Sequence, residues 1–259
     1  MLIFFDIDGT LIDEKEHRMP ESARDAIAGA RENGHVCMIN TGRTHRLVGK
    51  DITGLAEFDG LLLGCGTMIT YQGKTLFHKT FSEEQSVRIQ EGLRRNGIDA
   101  LLEGCDNDYL ESFDRMVHPH FKKYATKYDG FFFGSWEDAV GRFDKLYAYA
   151  DDRRRMDAFA DEFSGELDFI DRQRGFFEII PRGCSKASAM DHIAGILKLP
   201  MEETVAIGDS SNDVAMMKRA GRSIAMGNGT DEVKSLADYV TTAVEDDGIW
   251  NALNWLGAL

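Results

Sequence analysis

Residues 1–13 read MLIFFDIDGTLID, and two aspartates, Asp6 and Asp8, follow directly on a run of large apolar side chains. A short continuous apolar run is typical of a strand that is buried on both faces of a parallel sheet. Charged side chains are tolerated only where such a strand leaves the sheet. The stretch therefore predicts an α/β fold in which Asp6 and Asp8 lie at the exit of the first strand.

The same pattern recurs in both terminal parts of the chain. Apolar runs such as HVCMIN (35–40) and TVAIG (204–208) alternate with segments that have an apolar helical face. This alternation predicts a Rossmann-like parallel-sheet core with helices on both faces. The middle of the chain has helical patterns beside consecutive strand patterns, which predicts an inserted α+β cap domain. We place the core at residues 1–81 and 183–259, and the cap at 82–182.

Composition excludes several classes of protein. The formal net charge of −14 disfavours nucleic acid as a partner. No run approaches the roughly 18 apolar residues of a membrane span, and the amino terminus lacks a basic segment typical of a secretory signal. The four cysteines are far apart, as expected of reduced thiols. We therefore expect a cytoplasmic protein, a monomer or weak dimer, with no nucleic-acid or membrane partner.

Polar residues of an unusual kind follow three of the predicted core strands. They are DIDGT at 6–10, TGR at 41–43 and GDSSND at 208–213. Ligands of open α/β sheets bind beyond the carboxyl ends of the strands. If these strands are neighbours, four carboxylates converge and raise one another's pKa values. A divalent cation would relieve the repulsion, and an all-oxygen ligand set suits Mg2+ better than zinc.

Lys186 conflicts with the electrostatics of its predicted helix. Ser185 is a good N-cap, and Lys186 then puts a cation in the first turn, where the helix dipole disfavours it by about 0.3–1 kcal/mol. Such conflicts are expected where function overrides propensity. A cation beside free backbone N–H groups forms an anion pocket, and phosphate fits this description.

Together these residues resemble the four motifs of the haloacid dehalogenase superfamily of phosphotransferases. The matching motifs, in the family's order, are DIDGTL at 6–11, TGR at 41–43, Lys186 and GDSSND at 208–213. The insertion between the second and third motifs is similar to that of subclass IIB, the Cof-like sugar phosphatases. AMGNG at 225–229 and EDDGIWNAL at 245–253 resemble the C-terminal pattern of that group.

The resemblance implies a role for each matching residue. Asp6 would be the nucleophile that forms an aspartyl phosphate, and Asp8 would protonate the leaving group and then deprotonate water. Lys186 would neutralise charge on the phosphoryl group. The implied phosphate-binding residues are Ile7, Thr10, Thr41, Gly42 and Asn212. The implied Mg2+ ligands are Asp6, Asp8, Asp209 and Asp213.

Arg43 and Cys65 are candidate substrate contacts. Cys65 lies in LLLGCGTMI at 61–69, where many relatives have Asn-Gly-Ala, and a thiol cannot hydrogen-bond as an amide does. It therefore affects the expected identity of the substrate and not the reaction. Arg43 could equally form a structural ion pair.

The sequence thus predicts a magnesium-dependent phosphomonoesterase that acts on a small phosphorylated metabolite. A sugar phosphate is the first candidate, and a nucleotide or cofactor monophosphate is the second. A phosphomutase, which passes the phosphoryl group to a sugar hydroxyl instead of water, stays open. Taken singly, the motifs also have simpler interpretations, since Asp209 and Asp213 would be favourable as charges at the start of a helix.

Overall fold

The computed structural model describes residues 1–13, 18–48, 52, 54–126 and 133–259. These residues form two compact units, one of residues 1–43, 47–77 and 185–259, and the other of 44–46 and 78–184. The ring of Phe81 packs on Phe143 within the apolar core of the second unit, with centroids 5.0 Å apart. This contact explains why the residues just after 77 belong there. The core and cap boundaries given by the sequence remain a proposal beside this division.

The elements are numbered along the chain. The strands are β1 (Leu2–Phe5), β2 (Val36–Asn40), β3 (Gly60–Leu63), β4 (Met68–Tyr71), β5 (Lys74–His78), β6 (Asp99–Glu103), β7 (Asp108–Leu110), β8 (Gly134–Ser135), β9 (Lys145–Tyr149), β10 (Leu167–Asp171), β11 (Phe176–Pro181), β12 (Thr204–Gly208), β13 (Arg222–Ala225) and β14 (Tyr239–Val240). The α-helices are α1 (Glu21–Glu32), α2 (Glu83–Asn96), α3 (Pro119–Thr126), α4 (Arg153–Phe163), α5 (Lys186–Leu197), α6 (Val214–Arg219), α7 (Asp231–Leu236) and α8 (Gly248–Trp255). None of the helices within the described ranges is long and apolar enough to span a membrane.

An eight-stranded sheet organises the first unit, in the order β14-β13-β12-β1-β2-β3-β4-β5. The strands from β14 to β3 are parallel, and β4 pairs antiparallel with β3. Phe5 at the end of β1 is in register with Ile207 of β12 and with Ile39 of β2. The exits of these three strands therefore lie side by side at one edge of the sheet.

Helices cover both faces of this sheet. On one face, apolar side chains of α5, α6 and α7 pack with β1, β2 and β12 in a single cluster. Elsewhere in the unit α1 contacts α8, and α1 buries the stripe of small and apolar residues that its sequence predicts. The predicted α/β fold class is confirmed. Helix α6 begins at Val214, directly after a 3-10 turn over Ser211–Asp213.

A six-stranded sheet organises the second unit, in the order β10-β11-β9-β6-β7-β8. All neighbours are antiparallel except β7 and β8. Side chains of α2 and α4 belong to one apolar cluster with side chains of the sheet, and its largest fully buried members are Trp136, Phe143, Phe159 and Phe163. This antiparallel sheet with its two helices has the α+β organisation predicted for the cap.

Candidate active site

The loop after β1 forms a tight turn that brings the backbone close to the loop after β12. The amide of Asp6 donates to the carbonyl of Ile207 at 3.0 Å, and the carbonyl of Ile7 accepts three N–H groups from the residues of the turn. Gly9 has a φ of +80°, and a Cβ there would overlap the carboxylate of Asp209. Glycine at this position therefore allows the two loops to approach each other.

A lysine and three carboxylates meet in the interior where these loops converge. The Nζ of Lys186 lies 2.6 Å from Oδ1 of Asp6 and 2.6 Å from Oδ1 of Asp213. Oxygens of Asp6, Asp209 and Asp213 all lie within 4.8 Å of one another. The four side chains belong to residues that are at least nine-tenths buried. Groups separated by up to 207 positions in the sequence thus form one charged cluster.

Within the cluster, burial and the charge of the oppositely charged partner shift the pKa of a side chain in opposite directions. Burial raises the pKa of Asp6 to about 7, although the ammonium group of Lys186 opposes this change. Burial works against the charge of Lys186, but the carboxylates of Asp213 and Asp6 outweigh it and raise the lysine pKa. Each charged side chain is therefore stabilised by its oppositely charged partners rather than by water.

The cluster meets the requirements of a divalent metal site. Three carboxylates face one ammonium group, so ionisation of all three leaves an excess of negative charge that a divalent cation would cancel. The donor atoms of the carboxylates are all oxygen, which hard cations prefer. The second oxygen of Asp213 accepts the N–H groups of Asp209 at 2.9 Å and Ser210 at 3.0 Å, and so fixes this loop.

Asp8 is not one of the three clustered carboxylates. Its carboxylate pairs with the guanidinium group of Arg43, which donates from Nε to Oδ2 at 2.9 Å and from Nη2 to Oδ1. Arg43 also donates to the carbonyl of Leu47 at 3.2 Å. Because the Asp8 side chain is 46% exposed, this pair lies at the open side of the site. The ion pair that the sequence allowed for Arg43 is present, and its contact with substrate stays a prediction.

The turn that contains Cys65 supports the TGR segment. The amide of Cys65 donates to the carbonyl of Thr41 at 3.1 Å, and the residue is buried with a φ of 54°. A Cβ at Gly66 would lie 2.5 Å from the carbonyl oxygen of Ser185. The turn therefore packs against the start of α5, which carries Lys186.

The other predicted phosphate-binding residues lie in the same loops. The hydroxyl of Thr10 donates to Oδ1 of Asp209 at 3.3 Å, and Oδ1 of Asn212 accepts from the hydroxyl of Ser210 at 2.6 Å. The side chain of Ile7 is buried in the core, so only its backbone is available to a ligand. Gly42 lies in the turn after β2.

Two asparagines of the site were not singled out from the sequence. Asn40, the polar last residue of β2, is fully buried and donates from Nδ2 to the carbonyl of Lys186 at 3.0 Å. Asn228 donates to the carbonyl of Gly9 at 2.8 Å. The AMGNG segment was a signal for Asn228, whereas the polar end of HVCMIN was the only signal for Asn40.

Comparison with known proteins agrees with this arrangement. A family model described as haloacid dehalogenase-like hydrolase matches residues 3–253. YkrA of Bacillus subtilis (strain 168) is 32% identical over 274 residues, covering 100% of this chain and 98% of YkrA. The 5-amino-6-(5-phospho-D-ribitylamino)uracil phosphatase YcsE of the same organism is 28% identical, covering 98% and 95%. The HAD subclass IIB sugar phosphatase BT4131 has a similar structure, with a TM-score of 0.82, 23% identity and coverage of 100% and 99%.

The chain belongs to the family of haloacid dehalogenase-like hydrolases. It is therefore a hydrolase, and the phosphatases are the class of hydrolase that its relatives represent. The resemblance stated from the motifs is confirmed at this level.

Proposed function

We propose that this protein is a magnesium-dependent phosphomonoesterase that hydrolyses a small phosphorylated metabolite through an aspartyl phosphate on Asp6. The observation that carries the proposal is the convergence of three loop carboxylates, those of Asp6, Asp209 and Asp213, with the Lys186 ammonium group, which lies 2.6 Å from two of them. A buried cation beside a carboxylate favours the ionised form of the nucleophile and offsets the charge of an incoming phosphoryl group.

The proposed reaction has two steps. An oxygen of Asp6 attacks phosphorus, the ester oxygen leaves, and Asp8 donates a proton to it. A water molecule then attacks the phosphorus, Asp8 takes up its proton, and the Asp6 carboxylate is released with inorganic phosphate. Both oxygens of Asp8 accept from Arg43 in this structure, so the first transfer requires Asp8 to leave this ion pair and take up a proton. The proposed contacts to phosphoryl oxygens are the Ile7 and Gly42 amides, Thr10, Thr41, Asn212 and Lys186.

Mg2+ would be held by the carboxylates of Asp6 and Asp209 and by the carbonyl of Asp8, with Asp213 as a further ligand or through water. When bound, it would supply positive charge that balances the phosphoryl oxygens and favours the ionised form of Asp6. Support for this site comes from the three carboxylates that converge within 4.8 Å. The chemistry of the oxygen donors favours Mg2+ over softer metals.

For the substrate, we propose a small sugar phosphate as the first candidate, in line with the resemblance to Cof-like sugar phosphatases. A nucleotide or cofactor monophosphate is the second candidate, and the relative YcsE is named as a phosphatase of 5-amino-6-(5-phospho-D-ribitylamino)uracil. We further propose that the core at 1–81 and 183–259 carries the reaction and that the cap at 82–182 selects the substrate. The cytoplasmic location and the monomeric or weakly dimeric state remain predictions.

The test is a screen of purified protein against p-nitrophenyl phosphate and phosphorylated metabolites, with Mg2+ and with chelator. Asp6→Asn should lower phosphate release by a factor of about 10^4 or more, because nucleophile and partners act as a unit. Asp13→Asn changes an aspartate that accepts from the amide of Arg18 near the same loop, and should leave activity unchanged. Mass spectrometry of rapidly quenched enzyme should find phosphate on the Asp6 peptide.

Equal activity of the two variants would overturn the proposed nucleophile. Formation of a phosphorylated isomer without release of inorganic phosphate would instead identify a phosphomutase.

A further inference from the structure

Asn228 connects two distant segments of the backbone through both ends of its amide. Its Nδ2 donates to the carbonyl of Gly9 at 2.8 Å, and its Oδ1 accepts from the amide of Val244 at 3.1 Å. The residue is exposed overall, so neither contact is enforced by burial in the core. A polar side chain in such a position acts through its hydrogen bonds.

The residues that follow Asn228 contact the loop of Asp209. The amide of Thr230 donates to the carbonyl of Asp209 at 2.9 Å, and a Cβ at Gly229 would lie 2.9 Å from the same oxygen. The segment 226–230 therefore contacts the turn after β1 through Asn228 and the loop after β12 through its backbone. These two loops supply Asp6 and Asp209, which belong to one carboxylate cluster.

We propose that Asn228 is a positioning residue that fixes the Gly9 peptide relative to the Asp209 loop and thereby sets the affinity of the carboxylate cluster for Mg2+. Gly9 has a positive φ and no side chain, so its turn has more accessible conformations than other residues would allow. A hydrogen bond from outside the turn removes part of this freedom before the cation binds. The inference rests on the proposed function, because it takes the cluster to be a metal site.

The central experiment is the titration of substrate-free protein with Mg2+ by calorimetry. Asn228→Ala should bind Mg2+ on the order of tenfold to a hundredfold more weakly than wild type, the usual effect of losing a partner behind the ligands. At saturating Mg2+, the kcat of this variant should return to near the wild-type value. The thermal midpoint without metal reports any loss of stability that is unrelated to the cation.

Asn251→Ala is the matched control. Asn251 donates from Nδ2 to the hydroxyl of Thr242 at 2.8 Å and to the carbonyl of Asp246 at 3.3 Å, and neither of these bonds involves the loop of Asp6 or that of Asp209. This substitution should lower the thermal midpoint only by the amount expected for the loss of a side-chain hydrogen bond, and it should leave the Mg2+ affinity unchanged. Equal Mg2+ affinity of Asn228→Ala and wild type, or an equal loss in Asn251→Ala, would overturn the inference.

Asn228→Asp separates the two hydrogen bonds. An aspartate retains an acceptor for the Val244 amide and loses the donor for the Gly9 carbonyl. Weakened Mg2+ binding despite the added negative charge is the expected result, and wild-type affinity would show that the Gly9 contact does not position the loop. Protein that binds Mg2+ but releases no phosphate would contradict the proposed function while leaving the comparison of affinities intact.

Discussion

Each of the two units buries a lysine between two carboxylates, and we call each such group of three side chains a triad. One triad lies within strands, whereas the other lies on loops and at the start of a helix. The triad of the first unit is Asp6, Lys186 and Asp213, and that of the second is Glu103, Lys145 and Glu178. Lys186 is 2% exposed and Lys145 is 4% exposed, so burial does not distinguish them. A buried lysine with two carboxylates is therefore no sign of catalysis by itself.

The surroundings of the triads do distinguish them. The members of the cap triad lie within β6, β9 and β11, where Glu103 is the direct cross-strand partner of Lys145. The core triad draws on loops beyond strand ends and on the first turn of α5, and Asp209 adds a third carboxylate there. Within the described residues, the cap triad is not part of any group of converging metal ligands. Strand register determines which charged side chains meet in the cap triad, whereas the loops around the core triad can bring additional carboxylates to the same place.

Replacement of each lysine by methionine should give the largest contrast. Lys186→Met and Lys145→Met each leave two buried carboxylates without their cation, so we expect both to lower the free energy of unfolding by about 3–5 kcal/mol. Only Lys186→Met should also reduce phosphate release at a folding-permissive temperature, by a factor of about 10^2–10^3. Thermal midpoints and p-nitrophenyl phosphate turnover measure the two effects.

The control for this contrast removes all the charges of the cap triad at once. The combined variant Glu103→Gln, Lys145→Met and Glu178→Gln should recover much of the lost stability, because no uncompensated charge stays buried. Similar activity losses in the two lysine variants would mean that the triads do not differ in function.

The same contrast explains how far the sequence could predict the structure. Parallel strands must place their carboxyl ends at one edge, so the convergence of Asp6 with Asp209 could be predicted on the condition that their strands are neighbours, which they are. The pairing of Lys145 with Glu103 depends on strand register, which one sequence leaves open. The Asp8–Arg43 pair depends on the direction of two side chains in separate loops, and local patterns do not specify it.

Mg2+ should stabilise the first unit without any contribution from the cap triad. At a concentration a hundredfold above the dissociation constant, a ligand that binds only the folded state adds about 2.7 kcal/mol to the free energy of unfolding. We expect the resulting rise in thermal midpoint in wild type and in Glu103→Gln. It should be greatly reduced in Asp209→Asn, which loses a charged ligand. A rise of equal size in Asp209→Asn would place the bound cation elsewhere.

The smallest expected effect on activity comes with a pH dependence of stability that belongs to the cap. Asp108 on β7 is the cross-strand partner of Glu103 and is 2% exposed. Burial, and next the charge of Glu103, raise the pKa of Asp108 from 3.8 to about 7. Between these values the folded protein holds a proton that the unfolded chain has released, so this group lowers stability as pH rises.

Asp108→Asn tests this dependence because an amide has the same shape and no charge to desolvate. Each unit of pKa difference corresponds to about 1.4 kcal/mol. A rise in pH from 4 to 8 should therefore increase the free energy of unfolding of Asp108→Asn relative to that of wild type by at least about this amount. Asp114→Asn, at an exposed position of the same unit, should follow the wild-type profile. The gain should also be the same with and without Mg2+, since the proposed Mg2+ site involves the other triad. A gain that appears only without Mg2+ would link Asp108 to the metal site and remove the distinction between the two clusters.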